Sequence, residues 1–94
     1  FAMTRLSRTV TIVNQKGLHA RASAKFVTFV SRLPDGLLVE VEKDGQSVTG
    51  SSIMGLMMLG AAKGSDIVIH VAGEGADMAL DKLAGLVTDG FGED

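Results

Sequence analysis

Leu38-Val39-Glu40-Val41-Glu42-Lys43-Asp44-Gly45-Gln46-Ser47-Val48-Thr49-Gly50 reads as two short strands joined by a two-residue turn. Asp-Gly between alternating apolar and polar residues is a strong hairpin signal, because a type I′ turn needs positive φ at both central positions. A two-residue turn sets Lys43 opposite Gln46, and therefore Val41 opposite Val48. Val39, Val41 and Val48 then share one face, while Glu40, Glu42, Ser47 and Thr49 share the other. Strands of this kind belong to an antiparallel sheet covered on one side and wet on the other.

The flanking segments fit around that hairpin. Thr9 to Val13 alternates and is β-branched, which predicts a first strand with Val10 and Ile12 inward. From about Ala20 to Leu33, the apolar residues Phe26, Phe29, Val30 and Leu33 recur at helical spacing, and Pro34-Asp35-Gly36 stops the helix. Ser52 to Leu59 predicts a short helix closed by Gly60. Asp66 to Ala72 predicts a strand with Ile67, Ile69 and Val71 inward. Gly73-Glu74-Gly75 leads into a last helix, about Ala76 to Asp89, with Leu80, Leu83 and Val87 on one face. It lacks the remainder of a dinucleotide-binding loop. The order β-α-β-β-α-β-α predicts an α+β fold: a two-layer open-faced sandwich, with a four-stranded antiparallel sheet and three helices on one face.

Composition narrows the class. The chain has 94 residues, 46% of them hydrophobic and 21% charged, which suits one soluble domain, taken as 4–94. Phe1-Ala2 ahead of Met3 reads as a cloning remnant. Nine basic and eleven acidic side chains give a net charge of -2, which argues against a nucleic-acid binder. With no cysteine there are no disulfides, thiolate metal sites or thiol nucleophiles, and a cytoplasmic location fits. The longest apolar stretch, Ile53 to Ala62, is interrupted by Gly55 and Gly60 and is too short to insert in a membrane.

Chemistry concentrates in Gly17-Leu18-His19-Ala20-Arg21-Ala22-Ser23, between the first strand and the first helix. His19 falls at the helix start, where backbone N–H groups lack intrahelical partners and the dipole favours an anion. An imidazole is nucleophilic near neutral pH, and Arg21 offers a fork-shaped contact to phosphate oxygens. These three properties together describe a site for a phosphorylated histidine. Residue chemistry alone does not separate this from a histidine that merely caps the helix.

Other candidates carry less. His70 alternates with Asp66 and Val68 and is expected as an exposed surface histidine. Two histidines without cysteine do not suggest a metal site. Met54, Met57 and Met58 lie at helical spacing, and such a stripe is expected to be partly core and partly interface.

Asn14-Gln15-Lys16-Gly17-Leu18-His19-Ala20-Arg21 closely resembles the active-site segment of the HPr family, the histidine phosphocarriers of the phosphotransferase system. Ser52-Ile53-Met54-Gly55-Leu56-Met57-Met58-Leu59-Gly60 resembles that family's regulatory-serine segment, and Gly90-Phe91-Gly92-Glu93 resembles a common family C-terminus. The resemblance implies that His19 accepts a phosphoryl group through Nδ1 from phosphoenolpyruvate-charged enzyme I and passes it to enzyme II A-type partners. It implies that Arg21 steadies that group, and that Ser52 is a regulatory site for an HPr kinase/phosphorylase. It also implies that Ala20, Ile53, Met54 and Met57 contribute to partner docking. The family commonly has Pro where this chain has Ala22, and many relatives have Lys where it has Ser51.

The implied function is that of a carrier, a substrate and donor for partner enzymes rather than an enzyme, needing no cofactor or metal and acting as a monomer. One alternative is a regulatory, nitrogen-branch phosphocarrier unconnected with sugar uptake. Another is an α/β-plait nucleic-acid-binding module, which the absence of Trp and Tyr disfavours, since Phe26 and Phe29 lie on a helix and Phe1 and Phe91 at the ends. A small-molecule-binding regulatory domain is a third.

Overall fold

Asp44 and Gly45 both adopt positive φ, at 52° and 82°, so the central turn is of the I′ kind. It joins β2 (Leu38–Lys43) to β3 (Gln46–Thr49) with Lys43 opposite Gln46 and Val41 opposite Val48. The computed structural model describes residues 5–93. The reading of Phe1-Ala2 as a remnant, and the domain limits at 4 and 94, lie outside the described residues.

β1 (Arg5–Thr11) and β4 (Asp66–Ala72) complete one four-stranded sheet, ordered β1-β4-β2-β3 with every neighbouring pair antiparallel. Three helices cover one side: α1 (Ala20–Ser31), α2 (Ile53–Met58) and α3 (Ala76–Thr88). α3 lies on β1 and β4, α2 lies beside β3, and α1 packs against both other helices. The core between the layers follows from the alternation of the strands. Ile67, Ile69 and Val71 of β4 meet Val39 and Val41 of β2, and the helices contribute Phe26, Leu56, Leu80, Leu83 and Val87. Burying a side chain of this size stabilises the fold by about 1.5–3 kcal/mol.

Some expectations need correction. Among the described residues the first strand is Arg5–Thr11, so it includes residues before the expected Thr9 and ends before the expected Val13. Arg5-Leu6-Ser7-Arg8 has little periodicity of its own and becomes strand by pairing with β4, from Arg5 opposite Ala72 to Thr11 opposite Asp66. Ile12 leaves the ladder but stays buried, held by backbone bonds to Gly64 and Ser65. α1 ends at Ser31, short of Leu33, because the N–H groups of Arg32 and Leu33 bond three residues back and tighten the last turn. His70 is not an exposed surface residue. It lies on the outer face of the sheet as expected, but Ser7 and Glu42 close over its ring and leave the residue 9% exposed. The methionine stripe contributes nothing to the core, since Met54, Met57 and Met58 are all exposed and Leu56 and Leu59 fill the core instead.

The Asp44-Gly45 turn can be tested alone, because a Cβ at Gly45 would meet no atom within 4 Å. Gly45→Ala is therefore expected to cost only the left-handed strain, about 1–2 kcal/mol. Urea unfolding should show a lower midpoint with an unchanged slope; an unmoved midpoint would show that the turn conformation does not matter.

Candidate functional site

The loop between β1 and α1 is fixed before the histidine is reached. Gly17 has φ of +62°, and a Cβ there would lie 2.2 Å from the carbonyl oxygen of Ala61. Only glycine allows that approach. The N–H of Leu18 donates to the same carbonyl at 2.9 Å, and Leu18 is buried. Ser23 in α1 is also buried and donates its hydroxyl to the Leu18 carbonyl at 3.2 Å. The loop is thus clamped on both sides of His19.

His19 occupies the N-cap of α1, with extended backbone at φ -75° and ψ -179°. Its Nδ1 accepts the N–H of Arg21 at 3.3 Å, a long bond that leaves the nitrogen pointed at the free donors of the first turn. Its Nε2 lies 2.8 Å from Oε2 of Glu93. An ionised carboxylate can only accept, so Nε2 carries the proton and Nδ1 keeps its lone pair. One contact orients the ring and selects the tautomer.

Glu93 is held in turn. Its Oε1 accepts from Nδ2 of Asn14 at 3.0 Å, and the same nitrogen donates to the Gly17 carbonyl at 2.9 Å. Asn14 is buried, and its amide nitrogen ties the Gly17 carbonyl of the loop to the Glu93 carboxylate, while its Oδ1 has no partner among the described residues. The turn Gly90–Gly92 that delivers Glu93 runs through positive φ at Gly90, Phe91 and Gly92. Left-handed backbone at a phenylalanine is strained, and burial of its ring at 1% exposure offsets that strain. Nζ of Lys25 in α1 donates to the Phe91 carbonyl at 2.7 Å and ties the turn to the helix that His19 caps. Partial desolvation works to raise the pKa of Glu93. Hydrogen bonds from His19 and Asn14, with the charge of Lys25, outweigh it and hold the carboxyl below the ordinary value of 4.5.

His19 therefore lines an open depression of about 700 Å³, with Ala20 exposed on its rim. Lys16, Arg21 and Lys25 border it, and among the described residues Arg21 has no ion-pair partner. Three cations, free helix donors and one nucleophilic nitrogen favour a phosphoryl group. Among the described residues no three metal-ligating side chains come together. No described helix is long and apolar enough to cross a membrane.

The second predicted group lies on the neighbouring helix. Ser52 is the N-cap of α2, and its Oγ accepts the N–H of Gly55 at 2.9 Å. Ser51 is exposed, with its hydroxyl 2.9 Å from that of Thr49. Ile53, Met54 and Met57 are exposed side by side with Met58. His19 and Arg21, singled out in the sequence, line the same depression, and Ser52 caps the neighbouring helix; the contacts of Asn14, Glu93 and Lys25 around His19 were not anticipated. The sole hint was Gly90-Phe91-Gly92, where glycines around a large aromatic fit a buried ring on a tight turn.

Because the carboxyl of Glu93 is depressed in the folded chain, its bonds add stability above the ordinary carboxylate range, and that stability is lost as pH falls through the folded value. Glu93→Gln is expected to melt below the parent at neutral pH, with the gap closing only in acid. Paired thermal melts across pH would check this, and a gap that widened in acid would contradict it.

The family profile described as "PTS HPr component phosphorylation site" matches residues 6–89. A phosphocarrier protein HPr of Pseudomonas aeruginosa is 46% identical over 85 residues, covering 89% of this chain and 92% of that protein. A phosphocarrier protein NPr of Shewanella violacea is 39% identical over 92 residues, covering 97% and 98%. The crystal structure of an HPr from Bacillus anthracis superposes with a TM-score of 0.82 at 37% identity, covering 89% of this chain and 98% of that one. The chain belongs to the HPr family of phosphocarrier proteins of the phosphotransferase system.

Proposed function

We propose that His19 accepts a phosphoryl group on Nδ1 from phosphoenolpyruvate-charged enzyme I and passes it to A-type partners of enzyme II. Family membership supplies the broader statement, that the chain is a phosphocarrier. The observation that carries the finer one is the contact of Nε2 with Glu93 at 2.8 Å. With Nε2 holding its proton there, the Nδ1 lone pair attacks phosphorus as the bond to the donor's nitrogen breaks. The N–H of Arg21 is then free to donate to a phosphoryl oxygen, and the Arg21 side chain lines the same depression as His19.

Arg21 is a charge partner in this reading and not a core residue. His19→Ala should abolish acid-labile phosphorylation by enzyme I and phosphoenolpyruvate, and Arg21→Ala should slow it at least about tenfold without changing the melting temperature. His70→Ala should be phosphorylated normally. Full labelling of His19→Ala would overturn the assignment.

The exposed apolar patch of Ile53, Met54 and Met57 on α2, together with exposed Ala20 at the start of α1, is the docking surface in this scheme. The carrier works as a cytoplasmic monomer with alternating partners. Ser52 is the regulatory acceptor for an HPr kinase/phosphorylase. Phosphate there keeps an acceptor oxygen for the Gly55 N–H but sets about -1.5 to -2 charge beside the apolar patch. Desolvating that charge opposes docking. Ser52→Asp should therefore retain the melting temperature and slow enzyme I, while Ser51→Asp should do markedly less. Equal effects at both positions would count against Ser52.

A nitrogen-branch role is the second reading, favoured by the similarity to the Shewanella violacea NPr. Charging by the enzyme I of one branch and not the other would assign it.

A further inference from the structure

Phosphoryl transfer leaves the second histidine unused. His70 stands on β4, an interior strand, and projects from the face of the sheet that the helices do not cover. Side chains from both neighbouring strands hold its ring. Oγ of Ser7 lies 2.6 Å from Nδ1, and Oε1 of Glu42 lies 2.8 Å from Nε2. The strand register sets up both contacts. Ser7 is directly opposite His70 on β1, Glu40 is directly opposite on β2, and Glu42 is the diagonal neighbour.

The proton positions follow from the partners. The Glu42 carboxylate accepts, so Nε2 is the protonated nitrogen and Nδ1 the lone-pair nitrogen. The Ser7 hydroxyl must then be the donor to Nδ1. A hydroxyl donating to an imidazole, whose other nitrogen donates to a carboxylate, is the arrangement of nucleophile, base and orienting acid found at acyl-transfer sites. Ser7 is exposed, whereas the His70 ring that would take its proton is shielded.

We propose that Ser7 is an acyl-accepting nucleophile, with His70 as its base and Glu42 as the group that orients His70. Charge selects the reactant. Glu42 bonds His70, Glu40 lies directly opposite it, and Arg5, on the neighbouring strand, is paired with Glu40 at 3.8 Å. Such a surface repels phosphoryl donors and admits an uncharged activated acyl group, an ester or a thioester. A depression of about 430 Å³ has His70, though not Ser7 or Glu42, in its lining, and Leu37, Leu38, Val39 and Ala72 give it apolar surface against which the acyl chain would lie. In the step itself, Oγ bonds to the acyl carbon and its proton passes to Nδ1. The bond from that carbon to the leaving oxygen or sulfur breaks, and the proton moves from His70 to the departing alkoxide or thiolate.

The probe is p-nitrophenyl acetate, applied to the full chain carrying His19→Ala so that the other imidazole does not react. Intact-mass measurement and peptide mapping should find one acetyl group, on Ser7. Ser7→Ala should lose it, and His70→Gln and Glu42→Gln should each slow its formation at least about tenfold. Having both variants keeps the test decisive if either one fails to fold. Acetylation at lysines only, or an unchanged rate at Ser7 in the folded His70→Gln or Glu42→Gln protein, would overturn the proposal.

Discussion

An imidazole can be attacked or can attack through either nitrogen, and here the contact between Nε2 of His19 and the Glu93 carboxylate removes that choice. The rest of the site exists to make this contact. Glu93 reaches His19 because Phe91 is buried, because Gly90 and Gly92 accept the left-handed turn, and because Lys25 holds the Phe91 carbonyl. The histidine is in place because Gly17 lets the loop lie against Ala61 and because α1 begins where it does. Both halves rest on the same layer of helices, which one apolar face of a four-stranded sheet holds together.

The division of the sheet into two faces also divides the chemistry. On the covered side, junctions between strands and helices present helix N-termini, and anions are favoured there. On the open side, strands present alternating side chains, and the polar groups of Ser7, His70 and Glu42 satisfy one another across the ladder, while Glu40 pairs with Arg5. The cation-rich depression at His19 and the carboxylate-bordered depression at His70 therefore suit reactants of different charge.

Much of this was readable wherever the signal is local. The Asp44-Gly45 turn sets its own register, and the alternation in Ile67, Ile69 and Val71 names the buried face of β4 without help from elsewhere. The position of His19 at a helix start could be read from the break after Val13 and the helical spacing that follows. What escaped depends on partners distant in sequence. β1 begins at Arg5 only because β4 is there to pair with it. His70 was placed on the correct face, but its burial depends on Ser7, 63 residues away, and on Glu42. Glu93 lies 74 residues from His19, and no periodicity links the two. Periodicity also assigned part of the methionine stripe to the core, whereas six residues of α2 have room for one buried face, and Leu56 takes it.

The most direct test of the site is the identity of the phosphorylated nitrogen. The chain would be labelled with 15N-histidine, charged by enzyme I and phosphoenolpyruvate, and observed by NMR for coupling between phosphorus and the ring nitrogens of His19. Coupling to Nδ1, with a proton retained on Nε2, is the expected result. Coupling to Nε2 would mean that the Glu93 contact does not select the reacting atom.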